Sequence, residues 1–104
     1  MQVPTGRYEK RAARAVRVEL LRLDESRLSE RTVTENVSPR GARVVTELIC
    51  APGKHVLVTA PEEGVKSLAR VVYCQRVDPE STKFVVGLQL VVRVEDWGNP
   101  ARRE

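Results

Sequence analysis

Hydrophobic and polar positions alternate along most of this 104-residue chain, beginning at Val16-Arg17-Val18-Glu19-Leu20 and resuming at Thr32-Val33-Thr34-Glu35. Richer apolar runs follow at 42–49, 55–59, 68–77 and 84–94. A period of two puts every second side chain on one face, so these segments are predicted to be six strands with one buried side each. The stretches between them carry turn chemistry: Ser38-Pro39-Arg40-Gly41, Ala51-Pro52-Gly53, Pro61-Glu62-Glu63-Gly64 and Asp78-Pro79-Glu80-Ser81. Strands this short, joined mostly by turns, cannot make parallel crossovers, and closing the sheet hides the edges that β-rich chains must protect. The expected fold class is all-β, a six-stranded antiparallel β-barrel. It forms a single domain over 1–104, with an irregular basic N-terminal arm at 1–15, the barrel at 16–94 and a short C-terminal tail at 95–104.

One stretch competes with this assignment. Tyr8, Ala12, Ala15, Leu20 and Leu23 sit close to helical period, and Ala12-Ala13-Arg14-Ala15 is good helix material. A helix over about 8–23 would be a basic amphipathic one, a form used on membranes and nucleic acid. The alternation of Val16-Arg17-Val18 and the need for a first strand favour an irregular arm running into the barrel. The tail holds Trp97-Gly98-Asn99-Pro100, which permits at most a short helical turn.

Composition changes the picture in one respect. A chain with 41% hydrophobic and 31% charged residues reads as a soluble globular domain, with no apolar run near membrane-spanning length. The start, Met1-Gln2-Val3-Pro4-Thr5-Gly6, lacks a secretory pattern, so the expected location is cytoplasmic. The charge is unevenly placed. Residues 1–17 hold Arg7, Lys10, Arg11, Arg14 and Arg17 against Glu9, or 5 − 1 = +4. The remaining 18 − 5 = 13 basic and 14 − 1 = 13 acidic side chains cancel. The whole excess therefore lies in the arm, which attracts anions without choosing among them.

Catalytic and metal chemistry find no constellation. Cys50 and Cys74 have no CxxC spacing and read as reduced, small apolar residues in strands, while His55 stands alone between Lys54 and Val56. No nucleophile has an activating partner, so no enzyme, metal or cofactor is expected.

Two motifs remain: Arg7-x-x-x-Arg11 in the arm, and Asn36-x-Ser38-x-x-Gly41 further on. An arginine fork suits guanine O6 and N7 and phosphate oxygens, and its plane can stack on a base. Asn36 can accept from and donate to a guanine, Ser38 can bond the ligand or brace the loop, and Gly41 permits close approach or a positive φ. Pro39 stiffens the turn between them. In this order and in β context the motifs resemble those of PilZ domains. Ala69-Arg70-Val71-Val72-Tyr73 and Val86-Gly87-Leu88-Gln89-Leu90 are similar to two further strands of that family, extending the resemblance over 7 to about 92.

The resemblance implies a bacterial receptor for the second messenger cyclic di-GMP on a six-stranded barrel. Arg7, Arg11, Asn36, Ser38 and Gly41 would be the binding residues, with Lys10, Arg14, Arg40 and Tyr73 as possible additions. Lys10 and Arg14 are also four apart, leaving a second register open for the basic pair. The residue before the first arginine, Gly6, offers no bulk against an intercalated pair of ligands. The implied output is a ligand-operated switch on a separate effector protein. One alternative is a PilZ-like interaction module that does not bind the nucleotide. The other, a small basic barrel on nucleic acid, is disfavoured because only Tyr8, Tyr73, Phe84 and Trp97 are available for stacking.

Overall fold

The computed structural model describes residues 14–24, 26–94 and 97. Six strands follow in chain order: β1 (Arg17–Arg22), β2 (Ser29–Ser38), β3 (Gly41–Thr46), β4 (His55–Ala60), β5 (Val65–Arg76) and β6 (Phe84–Leu90). They close into a barrel in the order β1-β2-β3-β6-β5-β4, every pairing antiparallel. Because β4 pairs back onto β1, each strand has two neighbours and no edge is left to template association. This is the fold class expected from the alternation. No helix among the described residues is long and apolar enough to cross a membrane.

The inward set follows the period-two pattern. Val18 and Leu20 in β1, Ala42 and Val44 in β3, Val56, Val58 and Ala60 in β4, Val65, Ala69 and Val71 in β5, and Val86, Leu88 and Leu90 in β6 are all buried in one cluster. Valine dominates because a β-branched side chain suits the pleated inner face of a narrow barrel. Each full burial of such a side chain contributes about 1.5–3 kcal/mol.

Several boundaries differ from the expectation. Residues 14–22 contain no helix: alternate burial of Val16, Val18 and Leu20 outweighs the helical propensity of the alanines before them. The polar stretch expected as a loop at 36–41 is mostly strand, with Asn36–Ser38 ending β2 and Gly41 opening β3, so only Pro39 and Arg40 turn. Cys50 is buried in the β3–β4 connection and not in a strand, whereas Cys74 lies in β5; both are free. Burial raises the Cys50 thiol to about 11. His55 is exposed at the start of β4. The segment after Leu90 leaves the ladder instead of continuing the last strand to 94. The Val91 N–H bonds the Leu68 carbonyl at 2.8 Å, and the Val94 N–H bonds that of Pro39 at 2.7 Å, which draws the chain across the β2–β3 end of the barrel.

Candidate ligand-binding surface

Two β-bulges create the surface that carries the second motif. In β2, Thr34 pairs with Val44 and faces the core, and strict alternation would send Asn36 inward as well. The register shifts between Thr34 and Asn36, so Glu35 is an extra residue. Asn36 then pairs with Arg43 on the outer face, while Val37 turns inward opposite Ala42. In β5 the same event occurs between Val71 and Tyr73. Val72 is the extra residue, Tyr73 moves outside opposite Gly87, and Cys74 packs against the core. An inserted residue reverses the phase of everything beyond it, which re-aims side chains without breaking the barrel.

The pairings then align two adjacent rows on the outside. One runs Asn36, Arg43, Gly87, Tyr73 across β2, β3, β6 and β5, and the next runs Ser38, Gly41, Gln89, Arg70. The Tyr73 ring covers Gly87, where an added Cβ would meet ring atoms at 2.2 to 2.7 Å, so the absence of a side chain there makes room for the aromatic. Arg43 and Arg70 lie two strands and two residues apart, a separation of roughly 12 Å. Arg43 is exposed and paired with Glu35 at 3.1 Å; Arg70 is exposed and donates to Gln89 Oε1 at 3.0 Å. Arg40 is exposed on the turn. The shelf is therefore cationic, with a glycine-and-tyrosine floor and amide groups at its margins. These are donors for anionic oxygens and a stacking face for a planar ring.

The turn beneath the shelf is held from behind by the segment after β6. Leu90 N–H donates to the Arg40 carbonyl at 2.7 Å, Val94 N–H to that of Pro39, and the Trp97 indole N–H to that of Ser38, also at 2.7 Å. Three successive carbonyls are thus satisfied, and Trp97 is buried with the core cluster. Gly41 lies in a strand and is not one of the positive-φ glycines, which among the described residues are Gly53 and Gly64. It is buried at the start of β3 and makes no left-handed turn.

The arm reaches the barrel at the same place. Thr34 is buried; its hydroxyl accepts from Val16 N–H at 2.9 Å and donates to the Arg14 carbonyl at 2.6 Å. Its own N–H bonds the Val16 carbonyl at 3.0 Å. Arg14, exposed, is fixed next to the β2 bulge that turns Asn36 outward. Arg7, Lys10 and Arg11 lie outside the described residues. Of the expected site residues that are described, Asn36 and Tyr73 lie half-buried in one outer row, Ser38 and Gly41 occupy the next row but are buried, and Arg14 and Arg40 are exposed at the margins.

Arg43, Arg70, Gln89 and Trp97 were not expected there. The outward facing of the first three is legible by plain alternation, since Ala42 and Val44, Ala69 and Val71, and Leu88 and Leu90 face in on either side of them; the odd steps from Thr34 to Val37 and from Val71 to Cys74 mark the bulges that bring Asn36 and Tyr73 beside them.

No family model matches this chain, and no curated protein does. Among solved structures, the barrel is similar to that of the Bacillus subtilis inhibitor of motility (MotI/DgrA), with a TM-score of 0.61 and 23% sequence identity. The match covers 88% of this chain and 45% of that one, so the chain spans less than half the length of that protein. The likeness is one of fold.

Proposed function

We propose that this chain is a receptor for cyclic di-GMP that acts as a ligand-operated switch on a separate effector protein and performs no bond chemistry. One observation carries the reading: Asn36 of the NxSxxG motif, with Ser38 and Gly41 in the next row, and the point where the basic arm meets the barrel lie beside one cationic outer surface shaped by two bulges. The shared fold with a protein named as an inhibitor of motility agrees with a regulatory role.

In this account Arg7 and Arg11 supply charged forks to the phosphates and guanines, and Asn36 and Ser38 bond a guanine edge. Arg43 and Arg70 add charge two strands and two residues apart, roughly 12 Å. Tyr73 offers its ring to a base. Closing the arm on the ligand costs chain entropy, which several charge-assisted bonds, each about 1.5–3 kcal/mol net, offset.

The test is a panel of single alanine variants read by equilibrium binding of labelled cyclic di-GMP, with thermal melting of the empty protein alongside. Arg7→Ala, Arg11→Ala and Asn36→Ala are expected to lose binding at least about tenfold, equal to roughly 1.4 kcal/mol, without moving the melt. Arg14→Ala tests the alternative register of the basic pair: an effect larger than that of Arg11→Ala assigns the site to Lys10 and Arg14. If all these variants bind like the parent, the surface is not the nucleotide site. If the parent itself does not bind, the interaction-module alternative takes its place.

A further inference from the structure

Next to the candidate ligand shelf, one row further along β5, the outer face carries an apolar row where a lone barrel would present polar residues. Leu21, Leu57 and Leu68 pair directly across β1, β4 and β5, and Val91 continues the row through its bond to the Leu68 carbonyl. Leu68 is 37% and Val91 57% exposed, while Leu21 and Leu57 are half-buried. Contiguous outward leucines on neighbouring strands are an association surface more often than an accident of composition. Two residues along the same strands, Glu19, Thr59 and Lys66 form a parallel row. Among the described residues neither the Glu19 nor the Lys66 side chain makes an ion pair or a hydrogen bond, although Arg31 stands across from Glu19 in β2. They are separated by β4, about 10 Å apart, too far to pair with each other.

We propose that this face binds a second copy of the chain, forming a two-fold dimer whose axis runs along β4. The ordering of residues selects this occupant. Leu21 and Leu68 are symmetric about Leu57, and Glu19 and Lys66 are symmetric about Thr59. A two-fold axis along β4 therefore sets Leu57 on its twin, Leu21 against the other copy's Leu68, and Glu19 against the other copy's Lys66, twice. The interface is isologous and each unpaired charge meets its opposite. The axis perpendicular to the strands would instead bring Lys66 toward Arg70 of the other copy. An unrelated partner would explain the leucines but not the symmetric placing of the two charges about the same strand. Because the barrel is closed, association through strand edges is unavailable and face packing is the route left.

The experiment is sedimentation equilibrium of the purified full chain over a wide concentration range at moderate salt. The expected species has twice the 11.7 kDa chain mass. Leu57→Glu is expected to give the monomer mass. Glu19→Lys and Lys66→Glu, both on the surface, are each expected to raise the dimer dissociation constant about fivefold or more by facing like charges, and the double variant is expected to restore it. Circular dichroism melts confirm that each variant folds. A parent chain that stays monomeric up to about 0.5 mM, weaker than any specific self-association of use here, overturns the proposal. So does a dimer for which the double swap is no better than either single one.

Discussion

The β2–β3 and β4–β5 connections are written with similar letters, Ser38-Pro39-Arg40-Gly41 and Pro61-Glu62-Glu63-Gly64, and close in opposite ways. The second closes its backbone locally: Pro61–Glu63 make one 3-10 turn, Gly64 takes φ 68°, and its N–H returns to the Pro61 carbonyl at 3.2 Å, while Glu62 reaches Arg17 of β1 at 3.5 Å. Only glycine adopts that backbone at little cost, so the backbone path of the turn is set by four adjacent residues. The first borrows its bonds from Leu90, Val94 and Trp97, some 50 to 60 positions along the chain, as in the 59-residue separation of Ser38 and Trp97. Its glycine is an extended strand residue. A turn whose backbone closes locally needs no remote support, whereas the turn held from behind is positioned beneath the candidate shelf by the segment after β6.

Breaking the remote hold gives the largest effect. Trp97→Ala removes a buried indole and the bond to the Ser38 carbonyl, and is expected to cost about 3–5 kcal/mol of stability together with nucleotide binding. Trp97→Phe keeps most of the packing and loses about 1 kcal/mol for the bond, read by urea denaturation. Next is the anchor of the arm. Thr34→Val leaves the Val16 N–H without its hydroxyl acceptor and releases the Arg14 carbonyl, for an expected 1–3 kcal/mol, about, and a binding loss that exceeds what the stability change explains.

The locally closed turn supplies the contrast. At Gly64 an added Cβ meets nothing within 4 Å, so Gly64→Ala is opposed by backbone strain alone, about 1–2 kcal/mol, and binding should be unchanged. Loss of binding in that variant would erase the distinction between the two turns.

The smallest effect belongs to the β3–β4 connection. With its thiol raised from 9.0 to about 11 by burial, Cys50 should react with iodoacetamide roughly a hundredfold slower in the folded chain than in urea at pH 8. The same shift means that the neutral thiol supports the fold fully below about pH 9.0 and that this support is lost as pH rises toward about 11. At the β1–β2 end, Ser26 and then Arg22 hold the Asp24 carboxyl well below its usual range, so its contribution is present at neutral pH and is lost only in strong acid.

Much of this arrangement is legible in the sequence. Alternation of Val16, Val18 and Leu20, of Val56, Val58 and Ala60, and of Val86, Leu88 and Leu90 is enough to place strands, their inner faces and hence a closed barrel. Asn36, Ser38 and Gly41 stand out because their order and spacing resemble a motif of PilZ domains. What alternation hides is the bulge, since one extra residue at Glu35 or Val72 reverses the outward set beyond it and brings Asn36 and Tyr73 onto the shelf. Trp97 is hidden for another reason: a single aromatic in a polar tail has no periodicity, and its role depends on a carbonyl 59 positions away.

The measurement that tests the central claim most directly is isothermal titration of the purified chain with cyclic di-GMP, set against GTP as an anionic control in physiological salt. The account predicts selective binding tighter than about 10 μM, or roughly −7 kcal/mol, with a stoichiometry that distinguishes one ligand from an intercalated pair. Equal weak heat with both nucleotides, or none with either, would contradict it.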